Sequence, residues 1–452
     1  MDKVKVGLKR RGSILALVVI TIVLFFVIGA AILTLGFNSR IYAIRTAADI
    51  SARCAADAGL TKAIRVMSYM LETGGFSVDK LPLFESDTEL PNSEPPATFN
   101  YTVTALTALA AKNEFGIVSI GKCNVARRTV WCRLRLRGVG DTGVLVREDM
   151  ELKAGTTVDG RDSRYAMDDP YQQTVAVQIG TASTAPDSMI LYNGVYIDGD
   201  VLVGFGGNVA TVIKDQGATV TGYKGSLDEN PEFPPVTPPL QSDTFKYYDK
   251  SISIPKKGDP NLYIDKSWNG RYTMIDLNNK GQEDRKERLI VKSGNDVVLH
   301  LTNTGTGEAK ASIVLGVGCD IIVEKGATLN LYVDGNIKSG TNSGFNNLGT
   351  PPDLKLWGLA QDPLPPDAQQ DWQLNAKSEY FGQVYAPEAT VQVNNSGDLY
   401  GAFTAYSFKI NNSGNLYYDG ALRNVNPNDP GVRFVLKRWG EGEENLPYVA
   451  GL

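Results

Sequence analysis

Five aspartates, Asp198, Asp200, Asp334, Asp398 and Asp419, are the residues of this 452-residue chain whose types could do hydrolytic chemistry. Two carboxylates facing each other across about 5 to 10 Å can cleave a glycosidic bond. Most of the five stand beside glycine, as in Asp198-Gly199, Asp334-Gly335 and Asp419-Gly420. In such turns aspartate is favoured for its local backbone hydrogen bonds, whatever the chemistry. His300, the single histidine, sits between Leu299 and Leu301 on an alternating stretch with no serine or cysteine motif beside it. It reads as a satisfied surface or core residue rather than a general base. Asp159, Asp162, Asp168 and Asp169 would suit a calcium loop, since hard cations want several oxygens close together. Their spacing matches no standard loop, and a solvated acidic linker accounts for them. No phosphate loop, zinc-ligand spacing or nucleophile elbow occurs. The expectation is a protein with no catalytic residues, no cofactor and no metal.

Among the four cysteines, Cys123 and Cys132 flank an Asn-Val-Ala-Arg-Arg turn region between apolar runs. They could face each other across a hairpin and form a disulfide in an oxidising compartment, or stay as thiols. Cys54 and Cys319 read as small buried residues or as a partner pair. Trp268, Trp357, Trp372, Tyr380 and Tyr400 are expected to be exposed in part, and Tyr400 and Tyr417 beside Asn-rich corners form the candidate ligand surface, for carbohydrate or another surface protein. A net charge of -5, mild and unpatterned, argues against nucleic acid.

The element that positions everything else is N-terminal. Residues 13–36 carry no charge and, at about 1.5 Å per residue, span roughly 36 Å, enough to cross a bilayer core. Lys3, Lys5, Lys9, Arg10 and Arg11 crowd the N-terminal flank, so that end is expected in the cytoplasm and the bulk of the chain outside it. The run exceeds the roughly 7 to 15 apolar residues of a cleaved signal peptide. Helical spacing continues through 37–74 with small residues, Ala47, Ala48, Ser51, Ala52, Ala55, Ala56, Ala58 and Gly59, and with larger anchors at Ile41, Ile44, Leu60, Ile64, Met67 and Leu71. Small side chains permit close approach, either onto the chain's own globular domain or onto copies and relatives. Gly74-Gly75 marks the stop.

Arg11-Gly12, the apolar run from Ser13, and Ala55-Ala56-Asp57-Ala58-Gly59-Leu60-Thr61-Lys62-Ala63-Ile64 together resemble the N-terminal segment of PilX-type minor pilins and other type IV pilin-like proteins. The resemblance implies cleavage by a prepilin peptidase between Gly12 and Ser13. Major pilins carry a glutamate at the fifth mature position, which here is Leu17. Without that carboxylate to pair with a neighbouring amine, the resemblance points to an accessory or tip-type subunit rather than a bulk one.

Beyond the helix the period changes to two. After a Pro-rich linker, 99–109, 115–121, 129–136 and 144–152 read as four strands of an antiparallel meander, followed by a linker over 156–188. Then comes repetition. Val391-Gln392-Val393-Asn394-Asn395-Ser396-Gly397-Asp398-Leu399-Tyr400 matches Phe408-Lys409-Ile410-Asn411-Asn412-Ser413-Gly414-Asn415-Leu416-Tyr417, and a Tyr-x-Asp-Gly pattern starts at Tyr196, Tyr332 and Tyr417. Short alternating strands with Asn/Asp-Gly corners predict a parallel β-helix over 189–425, interrupted by Pro-rich insertions at 230–240 and 349–371 and closed by a strand or cap within 426–452. The stretch 381–422 also resembles an uncharacterised β-rich domain found behind pilin-like anchors in bacteria. The expected fold is mainly β, with one long N-terminal transmembrane and stalk helix, a small antiparallel sheet domain and a β-solenoid.

The expected protein is a non-enzymatic, single-pass anchor in the cytoplasmic membrane: a minor pilin or pseudopilin of a type IV pilus or related secretion system, displaying its β-helix at the cell surface for adhesion or assembly. Leu15, Leu17, Ile20, Phe25 and Ile28 would pack against other pilin-like helices. Partners would be membrane lipid, pilin-like subunits, assembly proteins, the prepilin peptidase, and carbohydrate or a surface protein. The alternatives are a static surface adhesin or envelope protein, and a polysaccharide-acting β-helix enzyme.

Overall fold

A computed structural model describes residues 13–106, 113–165, 175–278, 285–303, 311–359, 370–374, 379–394, 398–423 and 426–442. The chain forms two compact units, Met1–Arg135 with Phe434–Leu452, and Leu136–Arg433.

In the first unit a single helix runs Ser13–Glu72 without a proline. It stops where the paired glycines predict: Gly74 takes a φ of 69°, its N–H reaches the Leu71 carbonyl, and the Gly75 N–H donates to the Met70 carbonyl at 2.8 Å. These two bonds close off carbonyls that a helix end leaves open. Ala48, Ala52, Ala55, Ala56, Ala63 and Met67 recur at three- and four-residue spacing and are buried against the unit's own sheet. A side chain at Gly121 on the facing strand would meet the Ala52 carbonyl oxygen at 1.9 Å. The alanine face of the stalk is therefore taken up by its own sheet.

That sheet orders its strands as Leu83–Glu89, Thr98–Leu106, Glu114–Cys123, Ala126–Arg137 and Arg433–Glu441. Three of the four expected strands are present, although residues 107–109 of the first lie outside those described. The expected fourth, 144–152, is absent from it. Its place beside Ala126–Arg137 belongs to Arg433–Glu441, a stretch expected to cap a solenoid. Phe434 accounts for this choice, packing edge-on to Phe76 and Phe115 at centroid distances of 5.3 and 5.6 Å. The opposite edge comes from a stretch read as linker, pinned by Phe84 stacking on Tyr101 at 5.4 Å. The second unit is thus an insertion in sequence between two strands that lie side by side.

Among the described residues the second unit is built from parallel ladders, arranged as a 23-stranded sheet and a 4-stranded sheet. Aligned positions stack apolar on apolar. One column runs Ile252, Ile275, Ile313, Ile337, Trp372, Val391, Phe408, Met150, Met189 and Ile213. Inward residues from every ladder join one buried cluster. Parallel strands cannot be joined by tight hairpins, so each pairing needs a longer connection between its two strands. The internal repeat lies in register: Val391 faces Phe408 and Leu399 faces Leu416, and Asn411 donates from Nδ2 to Asn394 Oδ1, 17 residues away. The Tyr-x-Asp-Gly pattern does not stack likewise. Tyr196 aligns with Thr157, whereas Tyr417 aligns with Asp159, two positions on.

The order of strands in space departs from their order in sequence. Ten pairings link Lys246, Gly270, Leu299, Leu331, Leu356, Val384, Phe403, Val144, Ile179, Val201 and Lys224 in that succession. Val144–Val146 and Met150–Leu152, expected as one meander strand, are two short strands in the middle of this stack. The expected linker 156–188 likewise contributes Thr157–Arg161 and Val177–Thr181. The last strands of the unit therefore meet its first ones, and polar groups specify the junction. Tyr418 donates to the Gly140 carbonyl at 3.0 Å, Arg147 pairs with Glu388, and the Arg161 guanidinium lies 4.4 Å from the Tyr400 ring centre.

Because of this permuted order, residues 227–245 must connect the Lys224 end of the stack to the Lys246 end. Ten steps of about 4.8 Å make roughly 48 Å, and an extended proline-rich segment of this length covers about 60 Å at 3.1 Å per residue. The segment over 230–240 is a crossover strap rather than an insertion within a continuous coil. The second expected insertion is also corrected in part, because Leu354–Gly358 is a buried strand of the main ladder, while 360–369 lie outside the described residues.

Glu151 clasps the junction, accepting hydrogen bonds from Lys153, from Lys409 at 2.7 Å and from the Tyr192 hydroxyl at 3.0 Å. Burial alone would raise its carboxyl, but those bonds overcome it and bring the value down to about 2. A carboxylate lowered on folding stabilises fully above its ordinary value near 4.5 and loses that contribution as pH falls toward 2. The stability of the chain to urea is expected to drop through that window by about 1 to 3 kcal/mol, and to drop less in Glu151→Gln. An equal acid response in both would show that the clasp contributes nothing.

Candidate functional site: an uncovered apolar helix

Over an 18-residue window the first helix reaches a mean hydropathy of 3.1 with none of it buried. Leu15, Leu17, Ile20, Phe25 and Ile28 are each between 46% and 78% exposed. Ile14, Phe26, Leu33 and Leu35 are as open, so the exposure encircles the helix instead of marking one packing face. The two threonines of the apolar run satisfy themselves internally: Thr21 donates to the Leu17 carbonyl and Thr34 to the Ala30 carbonyl, both at 2.8 Å. Such a surface suits hydrocarbon, where every polar group must find its partner within the protein. Among the described residues one helix, at the N-terminal end, is long and apolar enough to cross a membrane. Gly12 lies outside the described residues, and Ser13 opens the helix. Leu24→Arg, near the middle of the apolar run, is expected to weaken insertion by about 3 kcal/mol. Alkaline extraction of membranes checks this, and a variant that remains wholly in the pellet would count against it.

Two charges on the stalk, Asp49 and Arg53, find partners within the same unit. Arg128 donates from Nε to Asp49 at 2.7 Å, holding that carboxyl below the usual range, and Arg53 pairs with Glu441 at 3.2 Å. Sequence reasoning missed both clasps, since their partners are remote in the chain and carry no local signature.

The other candidates divide clearly. Cys123 and Cys132 are both buried free thiols. The hairpin register sets Cys132 opposite Ile117 and Cys123 opposite Ala126. Cys123 therefore lies six positions, about 20 Å, along the strand from Cys132's partner, far beyond disulfide reach. Burial pushes the Cys132 thiol up to about 12. Trp357, Trp372 and Tyr380 are core residues rather than exposed aromatics, and Trp268 is partly buried. Tyr400 is also buried, sandwiched between Phe381 at 4.4 Å and Tyr417 at 4.9 Å. Its ring faces are taken by its neighbours, which removes the flat surface a sugar would stack on.

The aspartates serve as turn and ladder ligands. Asp198 accepts from the Thr221 hydroxyl at 2.6 Å, Asp200 from the Tyr223 N–H at 2.9 Å, and Asp398 from Asn415 Nδ2 at 2.7 Å. Asp334 sits 2.9 Å from His300 Nε2, so the histidine is satisfied as expected. Asp419 is fully buried and accepts from the Ser163 and Ala421 N–H groups. Asp162 is held by Arg164, Asp159 lies in a strand, and Asp168 and Asp169 fall outside the described residues. Among the described residues no group of three or more His, Cys, Asp or Glu side chains is placed to hold a metal ion.

A family described as a domain of unknown function (DUF7305) matches residues 309–425. The last strands of that match pair with Val144–Val146, Met150–Leu152 and Thr157–Arg161, which lie before it in sequence. No curated protein matches the chain. Among solved structures, the competence-associated pilin ComZ from Thermus thermophilus is 14% identical over 87% of this chain and 97% of its own, with a TM-score of 0.29. So low a superposition score bears no weight on fold or function.

Proposed function

We propose that this chain is a pilin-like, membrane-anchored structural subunit, an accessory or minor pilin or pseudopilin, whose second unit is a parallel β-helix displayed outside the cytoplasmic membrane. The observation that carries the reading is one uninterrupted helix doing two jobs. Its first half is apolar on all sides and uncovered, and its second half lays an alanine face on an antiparallel sheet. A helix so divided suits a subunit that is held in lipid and can be extracted laterally into a helical bundle. The basic flank supports an inward N-terminus, and the stacked parallel columns support the β-helix. The distribution of the carboxylates favours a non-enzymatic head, with membrane lipid and other pilin-like subunits as partners.

The test is the mature N-terminus of membrane-extracted protein, read by mass spectrometry with and without an active prepilin peptidase. A peptidase-dependent terminus at Ser13 is the expected result. A terminus that retains Lys9 to Gly12 under both conditions would replace this reading with a static surface anchor.

A further inference from the structure

The crossover strap lies on a groove with the chemistry of a polyproline-binding site. On the outer face of the main ladder, Tyr332 aligns with Trp357 and Trp357 with Tyr385, forming an aromatic column with centroid spacings of 6.4 and 6.2 Å. The strap reads Pro231-Glu232-Phe233-Pro234-Pro235-Val236-Thr237-Pro238-Pro239. Val236 is buried among those three rings, and the Tyr385 hydroxyl donates to the Pro234 carbonyl at 2.8 Å. Phe233 faces the Arg147 guanidinium at 5.6 Å, and Glu232 reaches Arg433 at 3.7 Å. Apolar residues seated on rings, with a ring hydroxyl reading a proline carbonyl, is how aromatic grooves recognise the preformed polyproline helix.

Two features make the strap a ligand as well as a connection. It joins no strand of the ladder, so side-chain contacts hold it instead of main-chain pairing. Most of it is exposed or half-buried, with Val236 alone buried between 230 and 240. We propose that the Tyr332, Trp357 and Tyr385 column is a polyproline-binding groove occupied in cis by 231–239, and that it accepts the same segment from a second copy of this chain. Exchange of straps would then link neighbouring heads while the ladder pairing of Phe403 with Val144 stays in place, since that pairing uses no strap residue.

The experiment places specific protease sites after Asn230 and after Leu240 in the full-length, detergent-extracted protein, cuts both, and follows the excised segment by gel filtration. A fluorescent synthetic peptide of residues 229–241 stands in for the second copy. The expected result is a cut protein that keeps its circular dichroism, releases the segment on dilution and rebinds the labelled peptide saturably. Tyr385→Phe, which keeps the ring and loses the hydroxyl, is expected to weaken that binding about fivefold or more. Equal binding of an unrelated proline-rich peptide would overturn the choice of a second copy in favour of a general polyproline partner. Loss of fold on cutting, a segment that never exchanges against excess peptide, or a freed groove that binds no peptide would each overturn the proposal.

Discussion

Gly121→Val is expected to lift the stalk helix from its sheet and to cost the first unit about 3 to 5 kcal/mol. A Cβ at Gly121 would stand 1.9 Å from the Ala52 carbonyl oxygen and 2.5 Å from the Ala56 nitrogen. Both are backbone atoms, so no rotamer change relieves the clash and the helix must move away. Moving it uncovers Ala48, Ala52, Ala55 and Ala56 together. Gly59→Ala makes a useful contrast. Its Cβ would meet Ser119 Oγ at 2.3 Å and a Phe99 ring carbon at 2.8 Å, both side-chain atoms that can yield, so about 1 to 2 kcal/mol is expected. Urea denaturation in detergent, followed by hydrogen exchange of the facing strand Glu114–Cys123, ranks the two. If Gly121→Val leaves the midpoint unchanged, the helix does not rest where its alanines place it.

Phe403→Ala is expected to cost the second unit about 3 to 5 kcal/mol and to open it at its junction. Phe403 is fully buried, stands between Val384 and Val144 in the main column, and packs against Tyr380 at 5.7 Å and Phe408 at 5.3 Å. Its N–H also donates to the Gly143 carbonyl at 2.9 Å. Removing the ring leaves a cavity where strands more than 250 residues apart in sequence must meet. Hydrogen exchange should rise most at Val144–Val146 and Val177–Thr181, and less at the remote Asn261–Ile264. Leu299→Ala, equally buried but away from the junction, controls for a general loss of core. Uniform loosening in both variants would show that the junction is no weaker than the rest of the stack.

Several misjudged residues share one cause. Trp357, Trp372 and Tyr400 read as ligand-facing because an aromatic on an alternating strand has two faces available to it, and the strand pattern does not say whether the outer face stays open. Here the strap covers Trp357, the stack of rings covers Tyr400, and Trp372 points inward. The cysteine pair failed for a similar reason: a hairpin was foreseen, but its turn fell at Asn124 and Val125, so Cys123 ended the strand while Cys132 lay deep within the next. One residue of turn placement decides every cross-strand partner.

By itself the sequence determined what depends on near neighbours: an apolar helix of membrane length, its glycine stop, the alanine face, three strands of the antiparallel sheet and the register of the 17-residue repeat. Each is a periodic signal carried by adjacent residues, and burial or capping then acts on that period directly. Only the tertiary structure decided that Val144 lies beside Phe403, that Arg433–Glu441 completes the first sheet, and that the proline-rich segment runs along the stack. Every apolar strand edge offers the same row of N–H and C=O groups, so the choice of partner is made by summed packing over distant segments and leaves no local mark in the chain.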